Sequence, residues 1–540
     1  MCPLHSFPST SQTRADSDGI GFLRMIRVGP LNPWQESSPT FGYYEMVASF
    51  YVENFGCRAA QADGAAIEQQ FRERGLDRAP APVNAGIVVL NTCTVTSAAD
   101  QDARAAVRRI RRQNPGCQIV ITGCYAQRAP QEVASLPGVN AVIGNSHKHQ
   151  LADLFLAGNN PKQGEAAFIP ISRLLPEQNE APGQGQCLTA DDRRLVLVSD
   201  IFAHTELQAA PVFDSANART RPNLKVQDGC DNRCSFCVIP SVRGHSRSLP
   251  LDQILRQVNT LVEAGYREVV ISGINLGRWG RDLPSSQADL SPHRWAGEQP
   301  VRGQRLATTG QRLENLVRAI LNETPLEKLR ISSVEPMDWS GELIALMAAS
   351  PRIAKHAHVP MQSGSDSVLR RMHRKYRPWH YREKIEKIRA AMPSAAIGAD
   401  VMTGFPGETG AEFEATRRMV DDLPLTYLHV FTYSARPGTP AAVMRDQVPV
   451  PVASERNRIL RELAAEKKLA FMRSFIGKTI PAITLASRSN GRTEALTDNY
   501  LKLRLRGQCL PNHWISATIS AVEDGSLVGS AAPNECSPRL

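Results

Sequence analysis

Between residues 46 and 127, continuous apolar runs alternate with amphipathic stretches. "MVASFYVENFGC" has the pattern of a strand and ends at Cys57, and "AAIEQQFRERG" that of a helix stopped by Gly75. "GIVVLNTCTVT" is apolar on both faces, which predicts a buried strand ending at Cys93. The basic helix "DQDARAAVRRIRRQN" follows, and "QIVITGCYAQ" predicts a third strand ending at Cys124. Strands separated by helices predict parallel βαβ units. Ligands of an open parallel sheet gather off the carboxyl ends of its strands. Three cysteines distant in sequence are therefore predicted to converge.

A second alternation begins at residue 223. "NLKVQDGC", "EVVISGINLG", "KLRISSVEP", "HAHVPMQSG", "AAIGADVMTGFPGE" and "TYLHVFTYSARPG" are strand-like, mostly separated by helical stretches such as "LDQILRQVNTLVEAG" and "RPWHYREKIEKIRAAM". Six βα units predict a partial or complete α/β barrel with functional loops at the strand C-termini. Residues 281–308 interrupt it as a polar loop insertion. After the charged helix "ASERNRILRELAAEKKLAFMRSFIG" the period shortens. "TIPAITLAS", "TEALTDNYLKLRLRG" and "WISATISAVEDGSLVG" predict a small antiparallel β-barrel. The division expected is a disordered extension or mis-assigned start at 1–46 (Met46 precedes the first strand), an open parallel βαβ domain at 47–160, and a connector at 161–222 holding one strand candidate, "RRLVLVS". An α/β barrel at 223–475, a small barrel at 476–528 and a tail at 529–540 complete it. The fold class is α/β.

Composition narrows the function. Hydrophobic residues make up 42% and charged residues 21%, a globular balance. Lys and Arg exceed Asp and Glu by 63 to 53, a net charge of +10 that favours polyanionic partners such as nucleic acid. The N-terminus lacks the charged start and apolar core of a secretory signal, and no apolar run is long enough to span a membrane. Eleven cysteines in a long chain without a signal point to metal or catalytic use in a reducing cytoplasm.

"DGCDNRCSFCVIP" sets Cys230, Cys234 and Cys237 within eight residues and supplies no fourth thiol. A structural zinc needs a fourth ligand. An iron–sulfur cube held by three thiolates instead keeps one iron open to a chelating small molecule. That spacing, with Phe236 beside the last cysteine, is the signature associated with radical S-adenosylmethionine (SAM) chemistry, in which the open iron binds the amino and carboxylate groups of SAM. A zinc knot or a set of free buried thiols is the plainer alternative. Cys57, Cys93 and Cys124 repeat the pattern and suggest a second cluster, against the bland reading of buried cysteines as small hydrophobes. Gly273 and Asn275 in "SGINLG", Gln362 and Ser363 in "VPMQSGS", and Asp400 and Gly404 in "IGADVMTGFPGE" are candidates to contact SAM, or simple turns. Arg243, Arg247 and Lys375 are candidates for carboxylate or phosphate contacts.

"NTCTVT", "TGCYAQ", "VQDGCDNRCSFCVIP", "MQSGSDSVL", "MTGFPGET" and "FTYSARPGTPA" together resemble the radical SAM methylthiotransferases, over residues 48–525. The resemblance implies an N-terminal methylthiotransferase domain, a radical SAM core and a C-terminal TRAM domain that holds the substrate. It also implies two [4Fe–4S] clusters: an auxiliary one on Cys57, Cys93 and Cys124, and a radical one on Cys230, Cys234 and Cys237. SAM would serve as methyl donor and radical source. "NTCTVT" and "DGCDNRC" are most similar to the branch acting on N6-threonylcarbamoyladenosine at tRNA position 37; "FGCRAAQADG" departs from the Lys-Val-Asn run usual there. The implied partners are a tRNA anticodon loop, an electron donor such as a flavodoxin or ferredoxin, and a sulfur source, with no membrane. Unstacked loop bases suit such chemistry. The basic stretches "AVRRIRRQ" and "LKLRLRG" are available to phosphates, or to solvent. Isopentenyladenosine, a ribosomal-protein aspartate, and a metal-bound RNA-binding protein without enzymatic activity are the competing readings.

Overall fold

The computed structural model describes residues 49–158, 195–204, 207, 221–283, 311–489 and 492–532. The expected N-terminal extension, most of the connector and of the 281–308 insertion, and the end of the tail lie outside them.

The first sheet contains β1 (Ser49–Asn54), β2 (Asp77–Arg78), β3 (Ile87–Thr92), β4 (Gln118–Gly123), β5 (Ala141–Gly144) and β6 (Leu195–Leu197). They run parallel in the order β2-β1-β3-β4-β5-β6. Period-two alternation divides β3 between two cores. Val88 and Leu90 pack with Ala103, Val107 and Ile110 of helix Ser97–Gln113, whereas Ile87 and Val89 pack with Ile67 and Phe71 of helix Arg58–Glu73. Helices thus cover both faces, which is why this strand is apolar throughout. The "RRLVLVS" strand candidate forms β6 and completes this sheet, drawing it into the stretch read as connector.

The second unit is a partial barrel of six parallel strands with one short antiparallel strand at its edge. β7 (Asn223–Asp228), β9 (Glu268–Gly273) and β10 (Lys328–Ile331) are parallel, with the short β8 (Arg247–Ser248) antiparallel on β7. β11 (His356–His358), β12 (Ala396–Thr403) and β13 (Tyr427–Thr432) form a second parallel set. The bridges Leu329–Ile353 and Ser333–His358 join the two sets. One face of the strands carries Leu224, Val226, Val269, Ile271, Leu329, Ile397, Ala399 and Val401 into a single core. The alternate face carries Lys225, Gln227, Glu268, Arg330, His356, His358 and Asp400. A polar inner face is what a site-bearing barrel requires, and it explains why these strands alternate.

β14 (Thr479–Ser489), β15 (Arg492–Thr497), β16 (Lys502–Leu505), β17 (Trp514–Glu523) and β18 (Ser526–Ala531) close a barrel in the order β14-β15-β16-β18-β17. The expectation of an antiparallel barrel holds except at β16–β18, which pair parallel. Parity is the reason: strand directions cannot alternate all the way round a ring of five. Among the described residues no helix is long and apolar enough to cross a membrane.

A buried charge hub joins the first sheet's layer to the barrel. Asp63 accepts hydrogen bonds from Lys225 and from Arg243 Nη2 at 3.0 Å, and Lys148 Nζ lies 2.7 Å from it. Asp228 lies 2.9 Å from both Lys225 Nζ and Arg243 Nη1. Burial alone would raise both carboxyls, but the facing cations outweigh it and hold them below the usual carboxylate range. Asp63→Asn leaves three buried cations facing one carboxylate, and is expected to destabilise the protein by about 3–5 kcal/mol, read as a lowered thermal midpoint. Because the folded-state pKa values are depressed, the hub's contribution is full above the ordinary carboxylate pKa and fades as pH falls through it. The midpoint of Asp63→Asn is therefore expected to fall less steeply on acidification than that of the parent.

Candidate metal centres

β1, β3 and β4 are neighbours, so the loops leaving their carboxyl ends bring Cys57, Cys93 and Cys124 to one edge of the first sheet. Two glycines permit the approach. At Gly56 (φ +89°) a Cβ would lie 2.5 Å from Cys93 Cβ, and at Gly123 (φ +93°) 2.4 Å from Thr92 O. Asp100 ties the loops: Thr94 Oγ1 donates to it at 2.7 Å, Arg128 Nη2 lies 3.0 Å away, and Arg436, from beyond β13, donates as well. Asn145 Nδ2 sits 3.6 Å from Cys124 Sγ and donates to Val242 O at 2.7 Å. Burial, reinforced by the neighbouring Cys124 and Cys57, pushes the Cys93 thiol up to about 11. Three mutually repelling thiolates in such a place need a bound cation to persist.

Cys230, Cys234 and Cys237 occupy the loop after β7. Gly229 (φ +70°) starts it, where a Cβ would lie 1.8 Å from His245 O. Asn232 N and Asn275 Nδ2 approach Cys230 Sγ to 3.4 and 3.7 Å, and Arg374 Nη1 lies 3.2 Å from Cys234 Sγ while pairing with Glu335. Burial, then its two companion cysteines, pushes the Cys237 thiol up to about 12. Phe236 meets Phe405 edge-on, with ring centroids 6.4 Å apart.

Among the described residues the one set of three donor atoms lying within 4.8 Å of one another is that of His358, Asp400 and His429, which contains no sulfur. The cysteine triplets are neighbours: Cys124 packs against Val238 and Val242, which immediately follow Cys237 on helix Ile239–Arg243 and its approach.

The SAM candidates separate. Asn275, buried, takes its backbone hydrogen bond from N to Gln227 Oε1 at 2.7 Å and faces Cys230. Gly273 ends β9, where a Cβ would strike Gln227. Asn275 and Lys375 line a cleft of about 160 Å³ with Asn232 and Arg278. Gln362 holds φ +61° and, among the described residues, leaves its buried Oε1 unpaired, while its N–H donates to Asp400 O at 2.8 Å. Asp400 Oδ1 lies 3.3 Å from His358 Nε2 on the barrel's inner face. Ser363 and Gly404 are placed otherwise: Ser363 Oγ is 3.1 Å from Thr416 Oγ1 of an outer helix, and a Cβ on Gly404 would meet Ala453 at 2.5 Å. Arg243 belongs to the charge hub, and Arg247 donates to the carbonyls of His204 and Arg243. Sequence reasoning missed Arg374, Glu335 and Asn145. Arg374 sits in the basic run "RRMHRKYR", which by itself has the look of a solvated face.

Residues 49–144 match a family described as uncharacterized protein family UPF0004, and residues 224–420 match the radical SAM superfamily. The chain is 32% identical to the threonylcarbamoyladenosine tRNA methylthiotransferase MtaB of Bacillus subtilis, over 85% of this chain and 91% of that protein. The protein of the same name from Aquifex aeolicus is also 32% identical, over 84% and 96%. A tRNA-2-methylthio-N(6)-dimethylallyladenosine synthase of Novosphingobium aromaticivorans is 31% identical, over 80% and 85%. With both halves matched and relatives this similar over most of their length, the chain belongs to the radical SAM methylthiotransferase family.

Proposed function

We propose that this protein adds a methylthio group to C2 of N6-threonylcarbamoyladenosine at tRNA position 37. The observation that carries the reading is that Cys124, which shares a sheet edge with Cys57 and Cys93, packs against Val238 and Val242 shortly after Cys237, in a chain similar to relatives named threonylcarbamoyladenosine tRNA methylthiotransferase. A radical SAM enzyme requires a [4Fe–4S] cluster and SAM; Cys230, Cys234 and Cys237 are assigned to that cluster, and Cys57, Cys93 and Cys124 to an auxiliary [4Fe–4S] cluster. When bound, these groups supply radical generation from SAM and the transferred sulfur and methyl.

The chain's own residues hold and orient. Asn275 and Arg374 direct donors at the sulfurs of Cys230 and Cys234, stabilising them as thiolates. The cleft with Asn275, Lys375 and Arg278 offers a cation and an amide to the carboxylate and amine of SAM. Asp100, with Arg128 and Arg436, keeps the loops bearing Cys93 and Cys124 rigid. The C-terminal barrel takes the TRAM role, with the exposed Lys502 alternating against the buried Leu503 and Leu505 and offered to an RNA backbone, while Arg504 pairs with Asp524 at 3.1 Å. The reaction is placed in the cytoplasm, with an electron donor of flavodoxin or ferredoxin type and a separate sulfur source.

Cys234→Ala is expected to abolish 5′-deoxyadenosine formation, whereas Cys93→Ala keeps that cleavage and loses thiomethyl transfer. Full transfer activity in Cys93→Ala would sink the auxiliary-cluster assignment. Anaerobic analysis is expected to find about eight irons per chain with matching sulfide; stoichiometric zinc without sulfide would end the radical reading. Mass spectrometry of tRNA nucleosides from a host lacking the activity, with and without this gene, is expected to show new 2-methylthio-N6-threonylcarbamoyladenosine. A peak on isopentenyladenosine would move the substrate and keep the mechanism.

A further inference from the structure

Cys57 is followed at once by Arg58, which opens helix Arg58–Glu73. Its Nη2 donates to Tyr500 Oη at 3.2 Å, and among the described residues no carboxylate pairs with it. Two more guanidiniums face the same ring, Arg330 at 5.2 Å and Arg221 at 5.8 Å from its centroid. Among the described residues the one carboxylate paired with this group is the buried Glu268, 2.5 Å from Arg330 Nε and 4.0 Å from Arg221 Nη1, and it does not pair with Arg58. Arg330 is only 1% exposed, yet among the described residues its Nη2 has no hydrogen-bond partner. Tyr500 itself holds φ +71°, a conformation costly for a residue with a bulky side chain. Arg221 and Tyr500 also line a cleft of about 570 Å³ between the α/β barrel and the C-terminal barrel, with Tyr427, His429 and Lys502. Three guanidiniums, one buried and two half-buried, thus gather round one carboxylate, an excess of positive charge that an anion would complete.

We propose that Arg58, backed by Arg221 and Arg330, receives the carboxylate of the threonyl group on N6 of the substrate adenosine. This rests on the substrate reading above and assigns the residues that select that nucleoside. The chemistry of the purine supports the placement. C2 and N6 flank N1 on one edge of the ring, so a base that offers C2 to the Cys57, Cys93 and Cys124 site projects its N6 substituent along the same edge. The residue adjoining Cys57 is then the one within reach of the carboxylate. An isopentenyl group carries no charge and would leave the arginine excess unanswered.

The test is an anisotropy titration of anticodon stem–loops against the cluster-loaded protein and its Arg58→Gln and Arg221→Gln variants. The stem–loops carry at position 37 threonylcarbamoyladenosine, the same group with its carboxylate converted to a carboxamide, or plain adenosine. The unmutated protein is expected to bind the acid about tenfold more tightly than the carboxamide, as loss of one charge-assisted contact implies. Arg58→Gln is expected to erase that margin while its affinity for the plain adenosine stem–loop stays within about twofold, which also reports a sound fold. Should Arg58→Gln fail to fold, Arg221→Gln and the acid–amide comparison on the unmutated protein decide. Equal binding of acid and amide overturns the proposal, as does equal weakening of all three stem–loops by Arg58→Gln, which would mark a phosphate contact. Methylthiolation assays on the unmutated enzyme separate the two levels. Turnover of isopentenyladenosine alone removes the substrate reading and the subsite together, whereas turnover of threonylcarbamoyladenosine with no preference for the acid removes the subsite alone.

Discussion

Five buried charges, Asp63, Asp228, Lys148, Lys225 and Arg243, fasten the first sheet's layer to the inner face of β7. Each alone would be costly in this position, since burial disfavours every one of them, and only their mutual neutralisation makes the arrangement tolerable. The consequence for chemistry is direct. Arg243 ends the short helix that begins just after Cys237, and Asp63 lies one and a half turns into the helix that follows Cys57. The ion pair between them therefore fixes the distance between the two thiol sets. Apolar packing could hold the domains together as tightly, but it would tolerate sliding; a fan of directed hydrogen bonds does not.

The same logic governs the second contact between the layers, where Arg436 reaches from beyond β13 to Asp100 and Thr94. One clamp sets the position of helix Arg58–Glu73, and the other sets the loop after Cys93. Between them the N-terminal cysteines are held from both sides of the partial barrel, while the C-terminal barrel supplies Tyr500 through a turn whose Asp498 carbonyl accepts from Arg330 at 3.1 Å. The three units keep their main apolar cores separate and meet chiefly at polar contacts, with the small cluster of Cys124, Val238 and Val242 the apolar bridge between the first sheet and the barrel.

Much of this was legible in the chain. The strand ends at Cys57, Cys93 and Cys124, the tight "CDNRCSFC" loop and the βα alternation of the barrel all follow from local pattern and spacing, because backbone periodicity and the reach of a turn are local properties. What could not be read was which polar residues find one another across the chain. Arg243 had the look of a ligand-binding cation and is a structural ion; Arg374, inside a basic run, approaches a cysteine sulfur. Gly404 and Ser363 sit in loops suited to a cofactor and turn to neighbouring helices instead. The parallel β16–β18 pairing was hidden for a different reason: it follows from the number of strands in a closed ring, which no single strand's pattern reveals.

That ring has a consequence in time. β18, the last of its strands in the chain, is inserted between β16 and β17, so the hydrogen-bonding edges of those strands stay open until residues 526–531 have been synthesised. The first sheet and the barrel strands are complete long before then and are free to fold as they leave the ribosome. Tyr500, on the turn between β15 and β16, belongs to this late-made part of the chain and meets Arg221 and Arg330, which are synthesised well before it. A growing chain thus assembles its cysteine loops early and its C-terminal ring last, so a truncated product carries both cysteine sets without the closed barrel that supplies Tyr500.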